Sequence, residues 1–342
     1  MTFTRAHDGD VYAALDLGTN NCRLLLAHPA FRRTRGVRSL KAVDSFSRIV
    51  RLGEGVSQTG KLSKDAIERT MAALRVCGRK LEGYQVGKAR FVATEACRRA
   101  ENARDFVARV QQELGFDIEI ISTQEEARLA ILGCCSLLAP RMKKAVALDI
   151  GGGSTEVLWV DIPSSFHSQN PPQFPFDPMI RDWTSIPYGV MSLAESVGSS
   201  HYAEMYYEET VEKIVSLLAP IAAKNPLDDE MRRGEVQFLS TSGTVTTLAA
   251  IHLNLARYDR AQVDGITLDI GDILQSIRRL LSMRASERFM HPCIGPDRSD
   301  YIISGCAIFE AVTRAFPFRQ VTIADRGVRE GIILSLMLGD SS

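Results

Sequence analysis

Two short stretches carry the residue types and spacing for phosphate chemistry. In Ala147-Leu148-Asp149-Ile150-Gly151-Gly152-Gly153-Ser154-Thr155-Glu156-Val157-Leu158-Trp159, an apolar run carrying Asp149 meets three glycines, then Ser-Thr-Glu and a second apolar run. This is the pattern of a strand, a tight turn and a returning strand. Gly151, Gly152 and Gly153 lack a Cβ, so the backbone N–H groups from Gly151 to Thr155 can approach a phosphate closely. Asp149 and Glu156 flank the turn, and their hard oxygens suit Mg2+ or its waters, or the orientation of an attacking water. A plain glycine hairpin with surface carboxylates is the alternative, and the repetition of the unit weighs against it. Ala14-Leu15-Asp16-Leu17-Gly18-Thr19-Asn20-Asn21-Cys22-Arg23-Leu24-Leu25 repeats the buried strand, Asp, x, Gly, small polar residues and second strand. Gly18, Thr19 and Asn20 form its turn, and Arg23 lies on its returning strand.

Two such hairpins, one in each half, can grip a phosphate from both sides of a cleft. The arrangement resembles the paired phosphate loops of the actin-like ATPase superfamily.

The elements between the hairpins read as alternating strands and helices, which predicts α/β layers. Ser63 offers an N-cap to a helix with Ile67, Met71, Leu74 and Leu81 on one face. Ala89 to Thr94 reads as a buried strand that delivers Arg98 beyond its carboxyl end, where ligands of open α/β sheets bind. Asn102 and Asp105 predict a cap for the next helix. A strand over Asp117–Ile121 runs into Ser122-Thr123-Gln124-Glu125-Glu126, with the S-x-x-E spacing of a capping box. Glu125 is then expected to turn back to the cap, while Glu126, about 100° further round the helix, projects elsewhere and is the candidate for chemistry. Both glutamates can also simply complement the helix N-terminus. The strand Val236–Leu239 leads into Ser242, Gly243 and Thr244 at a helix start, either a further anion site or a Ser/Thr-rich cap. Ile270–Leu281 reads as an amphipathic helix, and Gln320–Ala324 as the last strand. Pro163 to Pro178 has no periodicity and reads as an excursion.

Composition narrows the classes. Over 342 residues, 45% hydrophobic, the chain can bury ample core and is expected to form two domains. Lys+Arg and Asp+Glu are 41 each, so no global basic field collects nucleic acid or anionic membrane, and neither is an expected partner. The seven cysteines are odd in number without C-x-x-C spacing, which suggests reduced thiols of a cytoplasmic protein. No apolar run is long enough to span a bilayer.

The chain resembles the exopolyphosphatase and guanosine pentaphosphate phosphohydrolase (Ppx/GppA) family. The resemblance runs from Val11 to about Leu336. It is carried by D-L-G-T-N (Asp16–Asn20), T-E-A-C-R (Thr94–Arg98), E-E-A-R (Glu125–Arg128), D-I-G-G-G-S-T-E (Asp149–Glu156), T-S-G-T (Thr241–Thr244) and R-E-G (Arg329–Gly331). It implies two actin-like (ribonuclease H-like) α/β domains with a phosphate-binding cleft between them, residues 1–124 plus 325–342 forming one and 125–324 the other. It places the water-activating glutamate at Glu126 and the magnesium and water-positioning carboxylates at Asp149 and Glu156. Phosphate contacts fall on Gly18, Thr19, Asn20, Arg23, Arg98 and Gly151 to Thr155. Mg2+ is the implied cofactor, with K+ a second candidate ion, and a homodimer the implied assembly. Longer members carry a C-terminal helical domain of the HD type, and none is expected here. The single His-Asp pair, His7-Asp8, stands in the N-terminal tail without helical context.

The reaction so implied is hydrolysis of a terminal phosphoanhydride of inorganic polyphosphate. The 5′ end of guanosine pentaphosphate is the alternative substrate, since the same loops serve both. An actin-like kinase would need an adenine signature that the sequence does not show. A sensor of guanosine tetra- or pentaphosphate would not need the complete set Glu126, Asp149 and Glu156.

Overall fold

Both sheets are built from an antiparallel hairpin followed by parallel strands, as the duplicated motif requires. The structure is a computed structural model and describes residues 11–31, 38–163, 179–197 and 206–339. The His7-Asp8 pair, Arg32, Arg33 and Arg35, Tyr202 and nearly all of the Pro163–Pro178 excursion lie outside the described residues.

The first sheet contains β1 (Val11–Leu17), β2 (Asn21–Phe31), β3 (Arg38–Ile49), β4 (Val86–Ala93) and β5 (Ile118–Ile120), in the order β3-β2-β1-β4-β5. β1, β2 and β3 are antiparallel neighbours, whereas β4 joins β1 and β5 joins β4 in parallel. The second sheet contains β6 (Lys144–Ile150), β7 (Thr155–Asp161), β8 (Met179–Ile186), β9 (Val236–Ser240), β10 (Thr267–Asp269) and β11 (Gln320–Ile323), in the order β10-β11-β9-β6-β7-β8. From β8 to β11 it repeats the first sheet strand for strand, with β10 added antiparallel at the edge.

The chain divides into two compact units. Among described residues, the first runs to Ser136 and resumes at Arg326, and the second spans Leu137–Pro163 and Met179–Asp325. This differs from the expected boundary at residue 125. The helix Thr123–Cys134 packs with the last helix, Val328–Gly339, inside the first unit, so the chain passes into the second only after it.

In the first unit Leu15, Leu17, Leu24 and Leu26 are fully buried among Met71, Leu74 and Cys77 of the helix Lys64–Glu82. That helix starts as the sequence predicts, the Ser63 hydroxyl accepting from the Ala66 N–H at 3.2 Å. The helix Ala103–Leu114 does not use the predicted cap. The Asn102 side chain instead spans to Leu62, accepting from its N–H at 2.8 Å and donating to its carbonyl at 3.0 Å. In the second unit Val146, Leu148, Val157 and Trp159 pack with Phe238, Phe309 and Phe316. A helix at Val190–Val197, absent from the sequence reading, precedes the long helix Tyr207–Lys224. All seven cysteines are free and buried.

Candidate active site

The two glycine turns have one construction. In the first, the Gly18 N–H donates to the Asn21 carbonyl at 2.9 Å, and in the second the Gly151 N–H donates to the Ser154 carbonyl at 2.9 Å. A tight turn leaves its remaining peptide groups to be satisfied from outside. In both turns the carbonyls are satisfied by a neighbouring segment. The Thr19 carbonyl accepts from the Gly53 N–H, and the Asn20 carbonyl from the N–H groups of Val50 and Arg51, at 2.8–3.0 Å. In the second turn the Gly151 carbonyl accepts from the Val190 N–H at 2.9 Å, and the Gly152 carbonyl from the N–H groups of Met191 and Ser192. The Ser192 hydroxyl donates to the Gly153 carbonyl at 2.9 Å.

Among the described residues no group accepts from the N–H of Thr19 or Asn20, or from those of Gly152, Gly153 and Ser154. Peptides whose oxygens are engaged and whose N–H groups are free form an anion-binding concavity. The backing segments were not legible as such in the sequence, but each contains a glycine that close approach demands. A Cβ on Gly53 would stand 2.3 Å from Thr19 Cγ2, and one on Gly189 would stand 2.4 Å from the Gly152 carbonyl carbon.

Beyond β4 the first unit places Arg98 between two carboxylates. Its Nη1 donates to Glu126 Oε2 at 2.7 Å and to the Ile121 carbonyl at 3.0 Å, while Nη2 donates to Glu95 Oε2 at 2.8 Å. Burial works against the guanidinium charge, but Glu126 and Glu95 outweigh it and hold its pKa above the ordinary value. Glu95 was missed in the sequence, although its i,i+3 spacing from Arg98 on the short helix Glu95–Arg99 was available as a signal.

Glu125 and Glu126 do have different partners. Ser122 caps the helix Thr123–Cys134, its hydroxyl accepting from the Glu125 N–H at 3.1 Å. The Glu125 carboxylate does not turn back to the cap as the S-x-x-E spacing predicts, but binds Arg90 and Arg128 at 2.8–3.1 Å.

In the second unit Asp149 and Glu156 are directly opposite each other on β6 and β7, which puts both carboxylates on one face of the sheet. Glu156 is buried, and its Oε1 accepts from the hydroxyls of Ser154 at 2.6 Å and Ser185 at 2.8 Å. Ser185, on β8, is the second positioning residue the sequence reading missed. The Thr155 hydroxyl donates to the Tyr188 carbonyl at 2.6 Å and ties the returning strand to the backing segment.

Two opposed carboxylates are a donor set that fits Mg2+, which takes one or two carboxylates and completes its octahedron with waters and phosphate oxygens. They do not form a closed cage. Among the described residues no three His, Cys, Asp or Glu side chains gather to hold a metal.

In the Ser242–Thr244 stretch the structure shows a helix cap. The Ser242 hydroxyl accepts from the Thr244 N–H at 3.0 Å at the start of the helix Gly243–His252. Arg298 reaches the same helix start, donating to the Thr247 hydroxyl at 2.7 Å.

Two α/β units of one topology, each with a strand-turn-strand loop at the carboxyl end of its first strand, define the actin-like (ribonuclease H-like) class of fold. The Ppx/GppA phosphatase family pattern matches residues 31–340. Exopolyphosphatase 2 of Mycobacterium tuberculosis is 30% identical over 336 residues, covering 95% of this chain and 98% of its own. The crystal structure of the Aquifex aeolicus Ppx/GppA family member superposes with a TM-score of 0.73 at 26% identity, over 97% of this chain and 99% of the other. An exopolyphosphatase of Cytophaga hutchinsonii, at 20% identity, shares the fold with a TM-score of 0.75, covering 96% of this chain and 98% of its own. The chain belongs to the Ppx/GppA phosphatase family.

No helix among the described residues is long and apolar enough to cross a membrane.

Proposed function

We propose that the protein is an exopolyphosphatase that releases terminal phosphate from inorganic polyphosphate by hydrolysis with Mg2+. The observation that carries the reading is the twofold occurrence of a turn whose carbonyls are bound from behind and whose N–H groups are free. Such a device suits a substrate that is phosphate throughout. The name of the Mycobacterium tuberculosis relative supports polyphosphate as that substrate.

In this reading Thr19 and Asn20 in one unit, and Gly152 to Ser154 in the other, donate N–H groups to non-bridging oxygens. Glu126 accepts a proton from the attacking water as the new P–O bond forms. The bridging P–O bond breaks, and the shortened chain leaves as an anion. Arg98, held beside Glu126, orients that carboxylate and adds positive charge near it. Held by Asp149 and Glu156, Mg2+ would neutralise charge on the phosphoryl oxygens.

The test is phosphate release from polyphosphate and from guanosine pentaphosphate in parallel, with Mg2+ and with a chelator. Mg2+-dependent release from polyphosphate is expected. Turnover of guanosine pentaphosphate with little from polyphosphate would move the assignment to the alternative substrate, and release from neither would overturn it.

A further inference from the structure

The second unit contains a cavity of about 730 Å3 at the end of its sheet opposite the glycine turn. It opens where β9 and β11 begin, beside the segment that precedes β6, and so lies away from the carboxyl ends of these parallel strands. Its size is that of a small-molecule site. Three arginines line it, Arg141, Arg233 and Arg319. Arg233 is neutralised by Glu235 at 2.8 Å. Among the described residues neither Arg141 nor Arg319 has any side-chain partner.

The remaining polar groups of the wall are already engaged. Gln237 accepts from the Ala139 N–H and donates to the Leu137 carbonyl and the Thr322 hydroxyl, all within 3.1 Å. The one lining carboxylate, Asp269, accepts from Gln320 at 2.9 Å. What the cavity leaves unpaired is therefore two guanidinium groups, next to the half-buried side chain of Met142.

We propose that this cavity binds a phosphorylated organic anion, its phosphate held by Arg141 and Arg319 and its organic body lying against Met142. Two planar guanidinium forks match the charge and oxygen geometry of a phosphate monoester dianion. The site is separate from the glycine turns, and the proposal does not rest on the substrate assigned to them.

The experiment titrates the full chain calorimetrically with adenosine 5′-monophosphate and, separately, with inorganic phosphate. The same titrations are run on the double variant Arg141→Ser/Arg319→Ser. Both arginines are exposed, so the variant is expected to keep its melting temperature and its phosphate release. The monophosphate should bind the double variant at least about tenfold more weakly than the wild type, and inorganic phosphate should bind the wild type about tenfold more weakly than the monophosphate. Equal affinity of the two proteins for the monophosphate would overturn the site. So would the absence of binding at millimolar monophosphate. Inorganic phosphate binding as tightly as the monophosphate would overturn the organic part of the claim.

Discussion

Arg23 and Glu156 occupy the same place in two copies of one hairpin, Arg23 directly across the ladder from Asp16 and Glu156 directly across from Asp149. One copy pairs opposite charges and the other pairs like charges, which repel unless a cation sits between them. In the proposed mechanism the same backbone would serve two tasks, a cationic side chain for phosphate in the first hairpin and a cation-binding carboxylate in the second. Arg23→Ala is expected to raise KM for polyphosphate about tenfold while kcat changes less than about threefold, the pattern of a lost charge-assisted contact. Steady-state phosphate release decides it, and an unchanged KM would remove Arg23 from the phosphate path.

Glu126 is fixed by Arg98, itself clamped by Glu95 and the Ile121 carbonyl. A carboxylate so held is positioned to accept a proton, and an amide of the same shape cannot do so. Glu126→Gln is expected to lower kcat by about 10^2 to 10^4 with KM little changed and the melting temperature preserved. Near-normal turnover in that variant would end the proposed mechanism.

Ser185 acts only through Glu156, to which its hydroxyl donates at 2.8 Å. Ser185→Ala leaves the Ser154 hydroxyl on the same oxygen, so Glu156 is loosened without being abandoned. Loss of such an outer hydrogen bond should raise the Mg2+ concentration for half-maximal activity about fivefold to tenfold. Saturating Mg2+ should restore kcat. A kcat that stays low at saturating Mg2+ would instead point to misfolding or to a direct role in chemistry.

The paired strands β1-β2 and β6-β7 follow from the repeated Asp-x-Gly hairpin, which is visible in the residues themselves, whereas the edge strands β3 and β10 were not read from the sequence. The boundary between units was not visible, because it depends on the helix Thr123–Cys134 packing against Val328–Gly339, which lie far apart in the chain. Gly133, Gly327 and Gly331 were present as a signal but had no partner to explain them. The same reason hid the backing segments of the two turns. Gly53 and Gly189 read as loop punctuation until Thr19 and Gly152 stand against them. Side-chain partners were legible only where they are local, as with Ser63 and its own helix. Ser185 holds Glu156 across a strand pair, and no spacing rule reaches it.

Glu125 links stability to pH. Burial by itself would raise its pKa, but Arg128 and Arg90 outweigh that and hold the carboxyl below its ordinary value of 4.5. A lowered pKa in the folded protein contributes stability that is fully present above the unfolded value and is lost as pH falls through the folded one. Glu125→Gln should therefore be less stable than wild type at pH 7. The difference should shrink below about pH 4.5 as the wild-type carboxyl takes up its proton. Urea midpoints at pH 7, 4 and 3 measure it, and a gap that stays constant over this range would show that Glu125 is not the linked group.

The contact between the helices Thr123–Cys134 and Val328–Gly339 depends on a missing side chain. A Cβ on Gly331 would stand 1.9 Å from the Leu129 carbonyl oxygen, and both partners are backbone, which cannot move without shifting a helix. Leu129 lies on the helix that also carries Glu126, so the displacement reaches the candidate base. Gly331→Ala is expected to destabilise the fold by about 1–3 kcal/mol or more and to depress phosphate release beyond what the lost stability explains. Gly271, in the helix Ile270–Leu281, has nothing within 4 Å of its Cβ position. There alanine adds no clash and restricts the unfolded chain, so Gly271→Ala should stabilise by about 0.5 kcal/mol. Chemical denaturation of the two variants side by side separates the effects. Equal behaviour of the two substitutions would mean that helix propensity alone, and not the backbone contact at Leu129, governs the Gly331 position.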